Sequence, residues 1–385
     1  MLDHLDDISP YVPGEQLRAA VARRARTIRW RRCVVILATM TTALAVPAAA
    51  GLWWRSVQPQ RVDVISPAEP SVAVSANTGG TGTSPLGSSA LTNSPPPVGP
   101  IDILVVGTDS PRDDPSVTGS RGDTILVLRI DVASGTRRIL SIPRDLYVTN
   151  PTTGEHDRIN ALVGDRAALV KVVQDFTGVH IDHYVELDLT TFPLLGDALG
   201  GVDIGFDAAI RDLHTGFEAA AGCVHLDGAR LRDYARSRYL EVFDGQHWQT
   251  DGTSDFGRMA RLGELAQRVV GSMVDPGSVD LGALVDNVLP KLTVDRDLTI
   301  GVAKLIVDAA RSLVGHPVDW TMVPTTPSVV TLKGGQAEVL MPGSATDVHR
   351  LLTEGRTATP AIGAIESPDV TAGAIMPSTT LRCGR

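Results

Sequence analysis

The sequence IDILVVGTDS at residues 101–110 opens the folded part of the chain, and its first six positions are almost entirely apolar. Such a run is typical of a strand that is buried on both faces of a sheet. Residues 124–130 and 137–142 have the same character, and residues 183–187 are also strand-like. Helices are predicted at residues 160–176, 192–199, 226–236, 255–274, 281–289 and 300–313. Strands that alternate with helices predict a layered α/β domain around a central sheet.

Two aspartates lie at the ends of the first two predicted strands. Asp109 follows the first strand, and Asp123 precedes the second. Loops at strand ends often carry function, and two carboxylates there can hold a hard cation such as Mg²⁺ together with the phosphate oxygens of a substrate. The structural alternative is that Asp109 caps a turn and that Asp123 pairs with Arg121 at the surface. The residues alone leave both interpretations open.

Polar residues also follow the third strand. Arg144 belongs to the sequence SIPRD at residues 141–145, where the proline ends the strand and directs the arginine outward. Arg158 and Asn160 precede a predicted helix, and helix N-termini attract anions. The alternatives are a surface ion pair between Arg144 and Asp145 and a solvated Arg158.

Four more arginines flank the start of the longest predicted helix. Arg236 and Arg238 are two residues apart and can share a face in a strand or at a helix end. Arg258 and Arg261 are three apart and share a helix face, which as an alternative is simply an exposed basic surface. Asp255 is expected to cap this helix. Because guanidinium groups stay charged and offer paired donors to phosphate, the pattern favours an anion-binding site.

The composition excludes several classes of function. A net charge of −9 and an aromatic content of 4% give no sign of nucleic-acid binding. The nucleotide-binding sequence GxxxxGK[ST], the nucleophile sequence GxSxG and the zinc sequence HExxH are all absent from the chain. His180 and His183 lack a third metal ligand nearby, so a pair at a strand edge explains them better than a metal site does.

The first hundred residues predict a membrane anchor and a tether. Residues 34–54 are uncharged and mostly apolar over a length that spans a bilayer. Seven arginines precede them, so residues 1–33 are expected in the cytoplasm and the chain after the anchor outside. A cleaved signal peptide is the alternative, because PAAA at residues 47–50 resembles a cleavage site. Residues 55–100 are rich in Ser, Pro, Gly and Thr and predict a disordered linker.

The remaining organisation is an extracytoplasmic domain at residues 101–357 and a loose tail at residues 358–385. Of the three cysteines, Cys33 borders the membrane segment, which leaves Cys223 and Cys383. An oxidising compartment permits a disulfide between them, which would pin the tail to the domain. Two independent thiols are the alternative.

Seven segments together resemble the LytR–CpsA–Psr family of cell-wall enzymes. They are ILVVGTDS at 103–110, RGDT at 121–124, LSIPRD at 140–145, RINA at 158–161, LGGVD at 199–203, YARSR at 234–238 and DFGR at 255–258. Their order matches as well as their content, and the resemblance extends over roughly residues 101–352. The anchor and linker also look like the architecture of that family.

The resemblance implies a three-layer α/β/α domain with a central mixed sheet, which holds a polyprenyl-pyrophosphate lipid in an apolar groove. It implies transfer of a phosphate-linked glycopolymer from that lipid to peptidoglycan at the outer face of the cell membrane, with Mg²⁺ or Mn²⁺ as cofactor. By motif, Asp109 and Asp123 would hold the metal and would be catalytic together with Arg144. The implied substrate-binding residues are Arg121, Arg158, Asn160, Arg236, Arg238, Arg258 and Arg261.

The sequence departs from the family pattern at four places. One is that Arg112 lies farther from the first aspartate than the family's arginine commonly does. Arg158 stands where the family usually has lysine, Leu262 stands where it usually has glutamine, and the segment at 239–254 looks longer. Two other functions stay open: a pyrophosphatase that uses water in place of the acceptor, and a non-catalytic lipid- or glycan-binding regulator. The presence of both Asp109 and Asp123 argues against the non-catalytic alternative.

Overall fold

The structure is a computed structural model that describes residues 58–65, 99–109, 121–188, 190–273, 279–355 and 383. The predicted segments at 1–33 and 34–54 lie outside the described residues, as do most of the linker and the tail. All described strands and helices belong to the compact unit Pro59–Arg385. In the part of the chain that the structure describes, no helix is long and apolar enough to cross a membrane.

The strands are, in chain order, β1 Gln60–Val62, β2 Ile101–Asp109, β3 Arg121–Asp131, β4 Thr136–Ile142, β5 Tyr147–Thr149, β6 His156–Arg158, β7 His183–Asp188, β8 Val202–Phe206, β9 Ile210–Asp212, β10 Phe217–Ala219, β11 Gly222–Leu226, β12 Glu241–Phe243, β13 Trp248–Thr250, β14 Thr293–Asp295, β15 Val318–Met322, β16 Thr325–Leu332 and β17 Gly335–Pro342. The α-helices are α1 Arg166–Thr177, α2 Thr191–Ala198, α3 Gly228–Arg236, α4 Ser254–Met273, α5 Leu281–Ala283, α6 Ile300–Arg311 and α7 Ala345–Thr353.

Seven of these strands form one mixed sheet, in the order β1-β14-β7-β2-β3-β4-β15. The central strands β2, β3 and β4 are antiparallel to one another. β7 is parallel to β2, and β15 is parallel to β4. The predicted mixed central sheet is therefore confirmed. Smaller sheets join β10-β9-β12-β13, β11-β8, β16-β17 and β5-β6.

Helices cover both faces of the large sheet. Along β2, Leu104 and Val106 point into a core that also contains residues of α1 and α7. Ile101 and Ile103 point to the opposite face, where they pack with residues of α6. Successive side chains of a strand point to opposite faces, which explains why the apolar run of β2 is nearly continuous. Each such buried side chain contributes about 1.5–3 kcal/mol, and the resulting three layers agree with the prediction.

The long helix α4 approaches the sheet closely through one glycine. A Cβ atom at Gly263 would lie 2.0 Å from Nε1 of Trp320 on β15, so only glycine permits this contact. The Trp320 indole in turn donates a hydrogen bond of 2.8 Å to Oγ of Ser141 on β4. These contacts fix the helix that carries Arg258 against the strand that precedes Arg144.

Two predicted helices are interrupted. The one predicted at 160–176 is a 3₁₀ turn, Ile159–Leu162, followed by α1. Asp165 separates them because its carboxylate accepts a hydrogen bond from the backbone N–H of Ala168 and so begins a new helix. The helix predicted at 281–289 passes from α5 into a π segment, Leu284–Val288, and then a 3₁₀ turn that contains Pro290. Proline has no N–H to continue the helical hydrogen bonds.

The sequence placed residues 55–100 in a disordered linker, but residues 60–62 form the edge strand β1 of the large sheet. β1 is parallel to β14. Nη1 of Arg61 donates to the carbonyl oxygen of Arg296 at 2.8 Å, and Val62 packs against the core. The strand has only three residues, and its partner lies more than 200 residues away in sequence, so no local pattern marks it.

The predicted disulfide is present. Cys223 on β11 is bonded to Cys383, with Cα atoms 5.6 Å apart. The separation is usual for a disulfide. The bond closes a loop of 160 residues and fixes one residue of the C-terminal tail to the domain.

Candidate active site

A β-bulge directs Asp123 out of the sheet. Gly107 pairs with Thr124, whereas the next residue of β2, Thr108, pairs with Gly122. Asp123 is therefore the extra residue on β3, and bulges of this kind commonly turn a side chain toward a functional site. One pair farther on, Asp109 lies opposite Arg121.

Gly122 allows the bulge to lie against its neighbours. A Cβ atom at this position would come within 2.4 Å of Cγ2 of Val163, a separation that real structures do not contain. Val163 is itself buried in the core on that face of the sheet. The glycine in the segment RGDT is thus required by packing, and it sets the position of Asp123.

Three arginines converge on Asp123 and Asp255. Nη1 of Arg144 donates to Oδ1 of Asp123 at 2.6 Å, and its Nε lies 3.2 Å from Oδ2 of Asp255. Nε of Arg258 donates to Oδ1 of Asp255 at 2.9 Å, and its Nη1 lies 3.5 Å from Oδ2 of Asp123. Nε of Arg238 lies 3.3 Å from Asp255, and its Nη2 lies 3.6 Å from Asp123. Asp145 also lies 3.5 Å from Nε of Arg144 and 3.4 Å from Nε of Arg158. Four arginines thus face three aspartates, and the excess positive charge leaves the capacity to bind an anion.

Burial and charge together shift the pKa values in this cluster. Burial opposes the charge on Asp255, yet the guanidinium groups around it, Arg258 foremost, hold the pKa of its carboxyl below the ordinary value. For Arg144, Asp255 and the hydrogen bond to Asp123 outweigh burial and raise the pKa. For Arg238, burial and repulsion from Arg258 and Arg144 lower the pKa. A negative charge bound beside Arg238 would offset this repulsion.

Two donors in the cluster, Nε of Arg144 and Nη2 of Arg258, lack a hydrogen-bond acceptor among the described residues. Nε of Arg144 still lies 3.2 Å from Oδ2 of Asp255 as an ion pair. Arg258 is 4% exposed, and a buried guanidinium N–H without a partner is costly. A bound anion would supply the missing acceptor.

The cluster lies at a cavity of about 510 Å³ whose lining includes Arg144, Arg236, Arg238 and Arg258. The predicted convergence of these four arginines is confirmed. Asp109 and Asp123 line the same cavity. Its other walls are mostly apolar and come from the sheet and from α2 and α4; they include Val105, Leu126, Phe192, Leu195, Leu262 and Val269.

Asp212 and Arg261 bind the backbone of the loop that carries Arg238. The buried carboxylate of Asp212 accepts hydrogen bonds of 3.0 Å from the backbone N–H groups of Arg238 and Tyr239. Burial would raise the pKa of Asp212, but these backbone donors hold it below the ordinary value. Arg261 donates to the carbonyl oxygen of Ser237.

Arg261 was predicted to bind substrate, but the structure assigns it a different position. It is 5% exposed, lies 3.6 Å from Asp251, and its Cζ atom is 5.7 Å from the centre of the Tyr234 ring. It is not among the residues that line the cavity. Its separation of three residues from Arg258 rotates it toward the loop, so it supports the site and does not face the cavity.

Arg158 and Asn160 also lie away from the cavity lining. Arg158 donates two hydrogen bonds to the carbonyl oxygen of Glu338 on β17 and lies 3.4 Å from Asp145. The backbone N–H of Asn160 donates to the carbonyl oxygen of Arg144 at 3.1 Å. Both contacts anchor the segment that carries Arg144. The side chain of Arg121 is not described.

The donor set fits a cation only together with a substrate. Among the described residues, no three His, Cys, Asp or Glu side chains lie close enough to hold a metal ion. Asp109 and Asp123 line the cavity, and Mg²⁺ is commonly bound by one or two carboxylates with phosphate oxygens and water as the remaining ligands. The residues therefore suit a metal that binds with a phosphorylated substrate.

The sequence missed two functions of aspartates. Asp255 was expected to cap α4, but the helix begins at Ser254 and Asp255 lies in its first turn. Its carboxylate binds Arg144, Arg238 and Arg258 instead. Asp212 carries no sequence signal except that it ends a short strand. Charged residues recur every three or four positions between apolar ones at 255–269, and this pattern could have indicated a cavity wall with both charged and apolar side chains.

The fold and the site define a class of α/β protein in which arginines and apolar side chains line one cavity. The chain belongs to the LytR_cpsA_psr family, whose model matches residues 75–340, more than half of the chain. The family predicted from the seven segments is therefore confirmed.

Individual relatives agree with this membership. The polyisoprenyl-teichoic acid–peptidoglycan teichoic acid transferase TagU of Bacillus cereus (strain AH820) is 30% identical over 205 residues, which are 51% of this chain and 62% of that protein. A LytR-Csp2A-Psr enzyme from Actinomyces oris has the same fold, with a TM-score of 0.56 at 22% identity over 77% of this chain and 96% of that one. TagT bound to LIIa-WTA has a TM-score of 0.50 at 20% identity over 69% and 94%. The chain spans about 62% of the length of the TagU relatives that it matches.

Proposed function

We propose that this chain transfers a phosphate-linked glycopolymer from a polyprenyl-pyrophosphate carrier to peptidoglycan. The observation that carries the proposal is a single cavity lined both by apolar side chains and by four arginines. A polyprenyl pyrophosphate has the two matching parts, a hydrocarbon chain and an anionic headgroup. A site for a free phosphate would need only the arginines. The transferase activity in the name of the TagU relatives supports the same substrate pair.

The arginines would bind the pyrophosphate without rearrangement of the backbone. Arg144 and Arg258 are already fixed by Asp123 and Asp255 at 2.6 and 2.9 Å. Donors that are in place before the charge develops stabilise a transition state most effectively. The free donor on Arg258 and the unfavourable position of Arg238 between other cations give the anion its binding energy.

The reaction is a phosphoryl transfer, in which catalysis is mainly positioning and charge stabilisation. The acceptor hydroxyl oxygen forms a bond to the phosphorus that carries the glycopolymer, the bond between that phosphorus and the bridging oxygen breaks, and lipid monophosphate leaves. Asp109 or Asp123 would accept the hydroxyl proton. The same two carboxylates would hold Mg²⁺ or Mn²⁺, which when bound neutralises charge on the phosphate oxygens.

We also propose that residues 34–54 are a single-pass anchor and that the domain lies outside the cell membrane. The support is the set of seven arginines before the apolar segment and the disulfide Cys223–Cys383, since disulfides persist in oxidising compartments. Protease added to spheroplasts should degrade the domain. A protected domain, or a mature chain that starts near residue 51, would contradict the proposal.

The test of the transferase uses the full chain in detergent, a polyprenyl-pyrophosphate-linked oligosaccharide, soluble peptidoglycan strands and Mg²⁺. Lipid monophosphate should appear only with the acceptor present. Arg258→Gln should abolish its release, whereas Arg350→Gln, which removes an exposed arginine that pairs with Asp347 on α7, should not. Release at the same rate without acceptor would favour a pyrophosphatase. No release under any condition would contradict both functions.

A further inference from the structure

Two exposed aromatic rings, one of which lines the cavity, pack against each other. The rings of His214 and Tyr239 have centroids 4.6 Å apart at an angle of 41°. Tyr239 is 55% exposed, and the His214 side chain is 69% exposed. His214 is part of the cavity lining, so the Tyr239 ring packs against a residue of the cavity wall. Neither ring has a part in the reaction described above.

Exposed aromatic rings are common on protein surfaces, but these two are held in place by a buried group. The Asp212 carboxylate, with its side chain fully buried, accepts hydrogen bonds from the backbone N–H of His214 at 2.8 Å and of Tyr239 at 3.0 Å. A hydrogen bond of 3.0 Å between Oγ1 of Thr215 and Oγ of Ser237 joins the same two loops. The backbone beneath both rings is therefore preorganised, as binding sites require.

The position of the His214 and Tyr239 rings indicates which part of the substrate they would contact. The residue before Tyr239 is Arg238, whose guanidinium lies within 3.6 Å of both Asp123 and Asp255 in the proposed pyrophosphate site. His214 lines the same cavity as Arg238 and Arg258, and Tyr239 packs against His214, so the ring pair lies on the cavity that contains the phosphate-binding donors. Any group joined to the transferred phosphate, or attacking it, must pass this point. In the proposed reaction both of those groups are sugars.

We propose that His214 and Tyr239 form a carbohydrate-binding platform that stacks on a pyranose ring at the cavity. The inference rests on the proposed function and adds to it a subsite for sugar. A pyranose has an apolar face of C–H groups, and an aromatic ring offers an apolar face with negative potential. The phenol hydroxyl of Tyr239 can reach the hydroxyl groups at the sugar edge. The sugar is either the first residue of the glycopolymer or the acceptor residue of peptidoglycan.

The test measures binding to the full chain in detergent in two arms. The first compares farnesyl pyrophosphate with farnesyl pyrophosphate that carries one N-acetylglucosamine on its distal phosphate. The second titrates soluble peptidoglycan strands at saturating farnesyl pyrophosphate. Tyr239→Ala should weaken binding of the sugar-bearing ligand or of the strands by about fivefold to tenfold. Farnesyl pyrophosphate alone should bind as it does to the unaltered chain, and the affected arm identifies the source of the sugar.

Conservative and matched variants separate stacking from other effects. Tyr239→Trp should retain the preference for sugar because it keeps an aromatic face. His214→Ala should reduce the preference for sugar. The matched control is His156→Ala, because the His156 ring also packs against a tyrosine, with its centroid 5.3 Å from that of Tyr147. This control should leave the preference unchanged. Thermal unfolding should be the same for all four variants.

Three results would overturn the platform. One is a Tyr239→Ala chain that binds both the sugar-bearing farnesyl pyrophosphate and the peptidoglycan strands with normal affinity. Another is an equal loss of affinity for farnesyl pyrophosphate with and without sugar, which would mean that the ring contacts lipid. The third is an equal effect of Leu213→Ala, because Leu213 is a neighbouring apolar residue, 71% exposed, that has no aromatic face. Failure of the unaltered chain to bind farnesyl pyrophosphate would instead overturn the proposed function and this inference with it.

Discussion

Replacing Asp255 with asparagine should separate the affinity of the site for pyrophosphate from its rate of transfer. The carboxylate lies 2.9, 3.2 and 3.3 Å from nitrogen atoms of three arginines and is 22% exposed. Asparagine keeps an oxygen that can accept the shortest of these contacts, from Arg258, but it loses the charge that holds the other two. We expect a loss of about 2 kcal/mol in the free energy of unfolding, below the cost of breaking a fully buried ion pair.

The contribution of Asp255 to the free energy of unfolding should depend on pH. The pKa of Asp255 lies below its ordinary value in the folded chain. The stabilisation is therefore complete above the unfolded pKa of about 4 and is lost as the pH falls through the lower folded-state pKa. Urea unfolding of the two chains should differ at pH 7 and should converge in acid.

Asp255→Asn should lower the transfer rate without weakening the affinity for pyrophosphate. Removal of a negative charge beside the arginines leaves the affinity for pyrophosphate unchanged or makes it tighter. The transfer rate should nevertheless fall by about tenfold to a hundredfold, because arginines that are no longer fixed stabilise the transition state less well.

The assay pairs titration of farnesyl pyrophosphate with measurement of lipid monophosphate release. The matched control is Asp347→Asn, because Asp347 forms the same i,i+3 contact with Arg350 on an exposed helix face. It should change stability by less than about 0.5 kcal/mol and leave the rate unaltered. A weaker affinity for pyrophosphate in Asp255→Asn, or a normal rate, would refute the reasoning.

Three further outcomes follow from the same structure. Asp123→Asn should abolish metal-dependent release of lipid monophosphate, whereas Asp145→Asn should retain it; equal metal dependence in both would remove Asp123 as a ligand. Gly122→Ala should lower the free energy of unfolding by about 1–3 kcal/mol through its clash with the core, and normal urea unfolding would show that the bulge can shift. Cys223→Ser should lower stability by several kcal/mol, since the disulfide closes a loop of 160 residues; an unchanged unfolding temperature would contradict this.

The sequence predicted the large sheet well because its central strands are buried on both faces. The apolar runs at β2, β3 and β4 reflect that burial directly. It could not predict β1, since three residues carry no periodicity and the partner strand is distant. The helix before α1 is interrupted because the Asp165 carboxylate accepts a hydrogen bond from the backbone N–H of Ala168. The spacing of apolar residues does not predict such a contact.

The candidate site was predicted by its motifs more than by its local physics. Four arginines of the motifs do meet at one cavity. Arg261 does not, because a difference of three residues along α4 turns its guanidinium toward the Ser237 carbonyl. Sequence spacing predicts Asp255 as a helix cap, because it cannot distinguish a carboxylate that accepts from its own helix from one that binds distant arginines. Tertiary packing determines which partner each of these charged side chains binds.

The account depends most on where a polyprenyl pyrophosphate binds. A crystal structure of the chain with such a lipid tests this directly. We predict that phosphate oxygens lie within hydrogen-bond distance of Arg238 and of the unpartnered Nη2 of Arg258, with the hydrocarbon between Phe192 and Leu262. A pyrophosphate bound elsewhere, or a lipid chain outside the apolar walls, would contradict the account.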